Sequence, residues 1–135
     1  MVEADPARHR YADLAFRMLF SLIFVGAGLR HLVRPEEIVG RLESAPLAYL
    51  ATAIAPAPVL VFVGGLVLLV AGVALLLGIG TRSAAIVLAL VLVPITVTVD
   101  LGHVGALGPL FKNIALLGGL IHFAAYGNGA GIARS

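Results

Sequence analysis

The feature that most constrains the fold of this chain is residues 59–79, a run of 21 amino acids that contains no charged side chain. A helix rises about 1.5 Å per residue, so this run is just long enough to cross the roughly 30 Å hydrocarbon core of a bilayer. Three further apolar runs of comparable length occupy residues 12–33, 83–99 and 110–126. The sequence therefore predicts four membrane-spanning helices.

The composition indicates the same environment. Hydrophobic residues make up 61% of the 135 amino acids and charged residues 12%, whereas an ordinary soluble domain is about half apolar and about a quarter charged. A fold this small buries only about two thirds of its surface, so a mean hydropathy of +1.09 would leave large apolar areas in water. We expect residues 1–135 to form one all-α domain, a four-helix transmembrane bundle in the lipid bilayer.

A short helix in the interface plane is predicted between the first and second spans. Pro35 suits the first position of a helix, and the two glutamates after it suit the first turn. Ile38 and Leu42 would share one face of this helix, while Glu37 and Arg41 would pair on the other. The segment is too polar at its start to lie in hydrocarbon and too short to cross it.

The third span contains Pro94, which has no backbone N–H to donate and should kink the helix. Such a proline is tolerated in a membrane where another group satisfies the carbonyl that it leaves free. We expect the hydroxyl of Thr96 or Thr98, or a neighbouring helix, to do so.

The orientation follows from the flanks of the first span, which we expect to be retained as an anchor and not cleaved as a signal peptide. Arg8, Arg10 and Arg17 precede or open this span, and positive residues are enriched on the cytoplasmic side. Both termini and the turn at Arg82 would then face the cytoplasm. The end of the first span and the start of the fourth would lie at the outer face.

Six polar residues are expected together at that outer face, because ionisable groups beside hydrocarbon are costly and often functional. They are Arg30, His31, Asp100, His103, Lys112 and Asn113. One reading is a site for the polar head of a quinone, with His or Lys donating to a carbonyl oxygen and Asp100 tuning a proton donor. The other is that these side chains snorkel, pair and fix the helix ends.

Arg17 and His122 form a second set, nearer the opposite face. Arg17 would anchor to lipid phosphate or serve a site within the membrane, and His122 would donate to a carbonyl across the bundle or belong to the same intramembrane polar site. A haem held between His31 and His122 is not expected, because the two lie at different depths. No metal-ligand spacing, phosphate loop or clustered basic face is present, so neither a metal site nor a nucleic acid partner is expected.

Several short motifs run through the same segments. They are Arg17 near the start of the first span, residues 21–28 leading to Arg30 and His31, residues 34–36, residues 80–82, Pro94 and Thr96 in the third span, and residues 111–119 with the run Phe-Lys-Asn-Ile-Ala-Leu-Leu-Gly-Gly. Together they resemble the DoxX family of small four-span membrane proteins, which includes DoxD-type subunits of thiosulfate:quinone oxidoreductase. The chain departs from many relatives in having Arg30 where they have lysine, which keeps the charge but not the same proton chemistry.

The resemblance implies a multi-pass protein of the prokaryotic cytoplasmic membrane, linked to redox processes through the quinone pool or through partners that handle sulfur or oxidative stress. We expect no intrinsic cofactor, since the chain has no cysteine. One hypothesis is a quinone-binding subunit of a membrane oxidoreductase that receives electrons from a partner. The alternative is a structural or assembly subunit without chemistry of its own. A channel is disfavoured, because the second span offers no polar stripe.

Overall fold

Four long antiparallel helices and two short ones form the structure, a computed structural model that describes residues 5–100 and 107–127, with the backbone alone for residues 99 and 100. The helices are α1 (Pro6–Val33), α2 (Pro35–Ser44), α3 (Ala48–Thr52), α4 (Ala57–Leu77), α5 (Thr81–Ile95) and α6 (Leu107–Tyr126), and a π-helical turn, Thr96–Asp100, continues α5. The four long helices are long and apolar enough to cross a membrane, and no strand occurs in the described ranges. The predicted all-α four-span bundle is confirmed.

The bundle has two ends, which we call the terminal face and the loop face. The terminal face holds the start of α1, the α4–α5 turn and the end of α6, and the loop face holds α2, α3, the end of α1 and the start of α6. The helices pack in chain order, α1 on α4, α4 on α5 and α5 on α6. The end of α1 and the start of α6 therefore share the loop face.

Glycines allow α1 and α4 to pack with their backbones in contact. A Cβ atom at Gly28 would lie 2.6 Å from the backbone nitrogen of Leu69 and 2.8 Å from the carbonyl oxygen of Gly65. At Gly72 it would lie 3.0 Å from the backbone nitrogen of Val25. Lipid supplies no hydrophobic force between helices, so such close approach and its dispersion contacts hold the pair together.

Aromatic side chains join α1 to α6. Phe16 stacks on Phe123 with ring centroids 5.1 Å apart, and Phe20 lies 5.5 Å from the same ring. Phe20 also covers Gly119, where a Cβ atom would clash with its ring. These rings continue into the bundle core, where Leu75, Leu88 and Leu120 are fully buried.

α1 begins at Pro6, six residues before the predicted start of the first span. Proline suits the first helical position, and the side chain of Asp5 accepts a hydrogen bond of 3.1 Å from the backbone N–H of Ala7. These capping signals extend the helix beyond its apolar part, so the first turns of α1 are exposed and polar.

The predicted interfacial helix is α2, and it caps α4. Leu42 is buried against Ala57 and Val61, with Ile38 packed beside it, so the apolar face predicted for this helix contacts the first turns of α4. The short helix α3 follows, next to the π-helical turn. The loop between the first two spans thus covers the loop face of the bundle.

The end of α5 differs from the prediction in one respect. The hydroxyl of Thr96 donates to the carbonyl of Leu92 at 2.8 Å, and that of Thr98 donates to the carbonyl of Pro94 at 2.7 Å. Neither hydroxyl donates to the carbonyl of Leu90, which lacks its usual helical hydrogen bond because Pro94 has no backbone N–H. Instead of a simple kink, the chain passes into a π-helical turn, a form that occurs mostly as single turns and often at functional sites.

The α4–α5 turn depends on Gly78, which ends α4 in a left-handed conformation with φ of 76°. The backbone N–H of Ile79 donates to the carbonyl of Ala74 at 2.9 Å, as in a Schellman motif. A Cβ atom at Gly78 would also lie 3.2 Å from the guanidinium of Arg17.

We therefore expect Gly78→Ala to be destabilising for two reasons. The left-handed backbone costs a residue with a Cβ atom about 1–2 kcal/mol, and the new methyl group would press on Arg17. Gly80→Ala is the matched control, since Gly80 has φ of 53° but open space around its Cβ position. Thermal unfolding in detergent should show a larger loss for Gly78→Ala, and equal losses would contradict the contact with Arg17.

Candidate functional site

Arg30 lies in the last turn of α1 and reaches across to α2. Its Nε atom is 3.3 Å from Oε2 of Glu37, and both side chains are largely exposed. Glu37, which the sequence pattern pairs with Arg41, thus contacts Arg30. Exposed ion pairs of this kind stabilise a fold only weakly, so this one orients α2 against α1 more than it holds them together.

His31, the next residue, is half-buried and fixed in position. Its Nδ1 atom is 2.7 Å from the carbonyl oxygen of Ala27, and its Cβ atom packs where Gly65 of α4 leaves room. A carbonyl only accepts hydrogen bonds, so Nδ1 carries the proton in this contact. In the neutral ring Nε2 is then an acceptor, whereas in the protonated ring it is a donor.

Lys112 and Asn113 open α6 at the same face but differ in burial. Lys112 is exposed, whereas Asn113 is 4% exposed and points into the bundle. The first turns of α6 pack near the π-helical turn, whose Thr96 and Thr98 are also buried. An amide side chain has two N–H donors and a carbonyl acceptor, so Asn113 brings both kinds of hydrogen-bonding group into the apolar interior of the bundle.

The structure thus has four of the six predicted residues at the loop face, in two pairs on two helices. Arg30 and His31 are on α1, and Lys112 and Asn113 are on α6. The side chain of Asp100 and the whole of His103 lie outside the described residues.

Arg17 lies at the terminal face against the end of α4. Its guanidinium group is next to Gly78, and α4 has no basic residue in its own last turn. The carboxyl end of a helix carries partial negative charge, so a cation there is favourable. The placement of Arg17 supports a role in joining α1 to α4.

His122 is half-buried near the end of α6, among aromatic rings. Its ring centroid is 5.9 Å from that of Phe16, 5.4 Å from Phe123 and 5.1 Å from Tyr126. The expected hydrogen bond to a carbonyl across the bundle does not occur within the described ranges.

Sequence reasoning did not single out Phe16 and Tyr126 as neighbours of His122. One signal was available for Tyr126, because residues four apart on a helix lie on the same side. Phe16 had none, since its contact depends on how α1 and α6 are paired.

A family model described as DoxX matches residues 12–101 of the chain, which is 90 of its 135 residues. The matched part covers most of α1 and all of α2 to α5. It ends before α6, so the run at residues 111–119 that contributes to the resemblance lies outside it. No curated protein and no solved structure matches the chain.

Proposed function

Because the chain belongs to the DoxX family of membrane proteins, we propose that it is an integral membrane subunit of a quinone-linked redox complex and that it binds the quinone head group at the loop face. A partner protein carries the redox group, since the chain has no cysteine to exchange electrons. The role of this chain is to bind and orient the ring.

The buried amide of Asn113 is the observation that carries this proposal. Polar side chains are costly in a membrane-spanning helix and tend to mark functional positions. Asn113 lies two turns or less from the start of α6, near the loop face. Its N–H groups suit the carbonyl oxygen of a quinone, which is a hydrogen-bond acceptor.

His31 adds the complementary chemistry. With Nδ1 committed to Ala27, its Nε2 atom is suited to accept a hydrogen bond from the hydroxyl group of a reduced quinone. A site with a donor on α6 and an acceptor on α1 can recognise both the oxidised and the reduced ring. Arg30 and Lys112 are exposed, as suits long basic side chains that keep their charge in water.

The test is photolabelling with an azidoquinone in lipid nanodiscs. Asn113→Leu should weaken labelling about fivefold to tenfold, the effect of losing about 1 kcal/mol of hydrogen bonding. His31→Leu should weaken labelling by the reduced form more than by the oxidised form, because leucine has no hydrogen-bond acceptor in its side chain.

Phe111→Leu is the matched control, since Phe111 is an exposed neighbour of the site on the same helix. Circular dichroism verifies that each variant is folded. Labelling that is saturable in the parent and unchanged in Asn113→Leu would exclude this site. The absence of saturable labelling in the parent would favour the assembly role.

A further inference from the structure

The imidazole of His31 is held on two sides. Its Nδ1 atom donates to the carbonyl oxygen of Ala27 at 2.7 Å, one turn back on α1. On the α4 side, Gly65 fits so closely that a Cβ atom there would clash with the Cβ atom of His31 and would lie 3.4 Å from its Cγ atom. Because one nitrogen is bound and the base of the side chain is enclosed, the ring is confined to one orientation.

The other ring nitrogen, Nε2, is open. It makes no hydrogen bond to the described residues, and it is not enclosed by protein atoms. His31 lies in the last turn of α1, next to the exposed ion pair of Arg30 and Glu37, so this corner of the loop face is within reach of water. Nε2 is therefore the ring atom that can meet a proton or a ligand from outside.

The charged groups around the ring include no carboxylate that could take up its proton. In the part of the chain that the structure describes, the charges that act on His31 are those of Arg30 on α1 and Arg41 on α2, and both are positive. The carboxylate of Glu37 contacts Arg30, and α4, which packs on the other side, has no charged residue. A proton that binds at Nε2 is thus exchanged with water or with a ligand.

We infer that His31 is a proton switch at the loop face. Since Nδ1–H is bound to Ala27, protonation at Nε2 turns that atom from a hydrogen-bond acceptor into a donor, and the ring need not move. An imidazole changes charge between about pH 5 and pH 8, so the switch works near neutral pH. A histidine with both nitrogens free could change tautomer and offer a donor in either charge state, whereas this one offers a donor at Nε2 only when it is protonated.

The consequence for the ligand rests on the proposed function. A reduced quinone presents hydroxyl donors, which suit the neutral ring of His31, whereas an oxidised quinone presents carbonyl acceptors, which suit the protonated ring. Raising the pH should therefore favour the reduced form at this face, and lowering the pH should favour the oxidised form. By linkage, binding of the oxidised form should be accompanied by uptake of a proton from water.

The first measurement is NMR of the full chain with ¹⁵N-labelled histidine in lipid nanodiscs, between pH 8 and pH 5. The His31 signals, assigned with His31→Gln, should show a proton on Nδ1 at pH 8 and on both nitrogens at pH 5. His9, which is exposed near the start of α1, is the reference, since a free neutral ring favours the Nε2–H form in water. A neutral His31 with its proton on Nε2, or no titration in this range, would overturn the inference.

The second measurement is photolabelling with an azidoquinone in its oxidised and reduced forms, under anaerobic conditions at the same two pH values. In the parent, the ratio of reduced to oxidised labelling should rise about fivefold or more from pH 5 to pH 8, the effect of one hydrogen bond. In His31→Gln, which keeps a hydrogen-bonding side chain but cannot titrate, the ratio should not change with pH. Phe111→Leu, at an exposed position on α6, should behave as the parent does.

The possible outcomes distinguish the switch from the proposed function. Saturable labelling with the same ratio at both pH values would overturn the switch and leave the quinone site in place. A titrating ring with Nδ1–H, in a protein without saturable labelling, would support the switch and exclude the quinone as its ligand. A pH-dependent ratio that persists in His31→Gln would assign the effect to another titratable group and would also overturn the inference.

Discussion

Gly28→Ala is expected to separate α1 from α4 and to cause a large loss of stability. The added Cβ atom would meet the backbone of Leu69 at 2.6 Å and the carbonyl oxygen of Gly65 at 2.8 Å. Overpacked sites usually lose about 1–3 kcal/mol because side chains can turn away. Backbone atoms cannot, so we expect about 3 kcal/mol or more, over a hundredfold in the unfolding equilibrium.

The measurement is reversible unfolding in mixed micelles, followed by circular dichroism. Gly26→Ala and Gly64→Ala are matched controls on the same two helices, since neither Cβ position has an atom of another segment within 4 Å. Both should be neutral or slightly stabilising, because alanine favours the helix over glycine. A loss at Gly28 no larger than at Gly26 would show that α1 and α4 are not in backbone contact.

Hydropathy and helix signals were sufficient to predict the four spans and α2. An uncharged run as long as residues 59–79 has few alternatives to a membrane helix. Pro35, Glu36 and Glu37 are residue types that favour the first turn of a helix. Which glycines mediate contact was not predictable. The chain has 16 of them, and Gly26 and Gly28 differ only in the direction that each faces once α1 is placed against α4.

The candidate sites were predictable to the level of helix ends. Alternation of four spans is enough to bring the end of α1 and the start of α6 to one face. The hydrogen bond between Nδ1 of His31 and the carbonyl of Ala27 was not predictable, since it depends on the rotamer that the ring adopts. The neighbours of His122 likewise depend on the pairing of α1 with α6, which hydropathy does not encode.

Phe20→Ala is expected to open the contact between α1 and α6. Phe20 touches three rings, at centroid distances of 5.4 Å to Phe16, 5.2 Å to Phe24 and 5.5 Å to Phe123, and it covers Gly119. In a soluble core such a change costs about 3–5 kcal/mol, part of which is the transfer of the ring from water. In a membrane that part is absent, because the ring meets hydrocarbon in either state.

What remains is the loss of packing, which we estimate at about 2 kcal/mol, or about thirtyfold in the unfolding equilibrium. Phe62→Ala removes the same ring from a position on α4 that is 58% exposed, and it should change stability little. The difference between the two variants therefore isolates packing from the apolar character of the side chain. Equal effects would mean that lipid fills the place of Phe20 as well as the ring does, and that α6 is held by α5 alone.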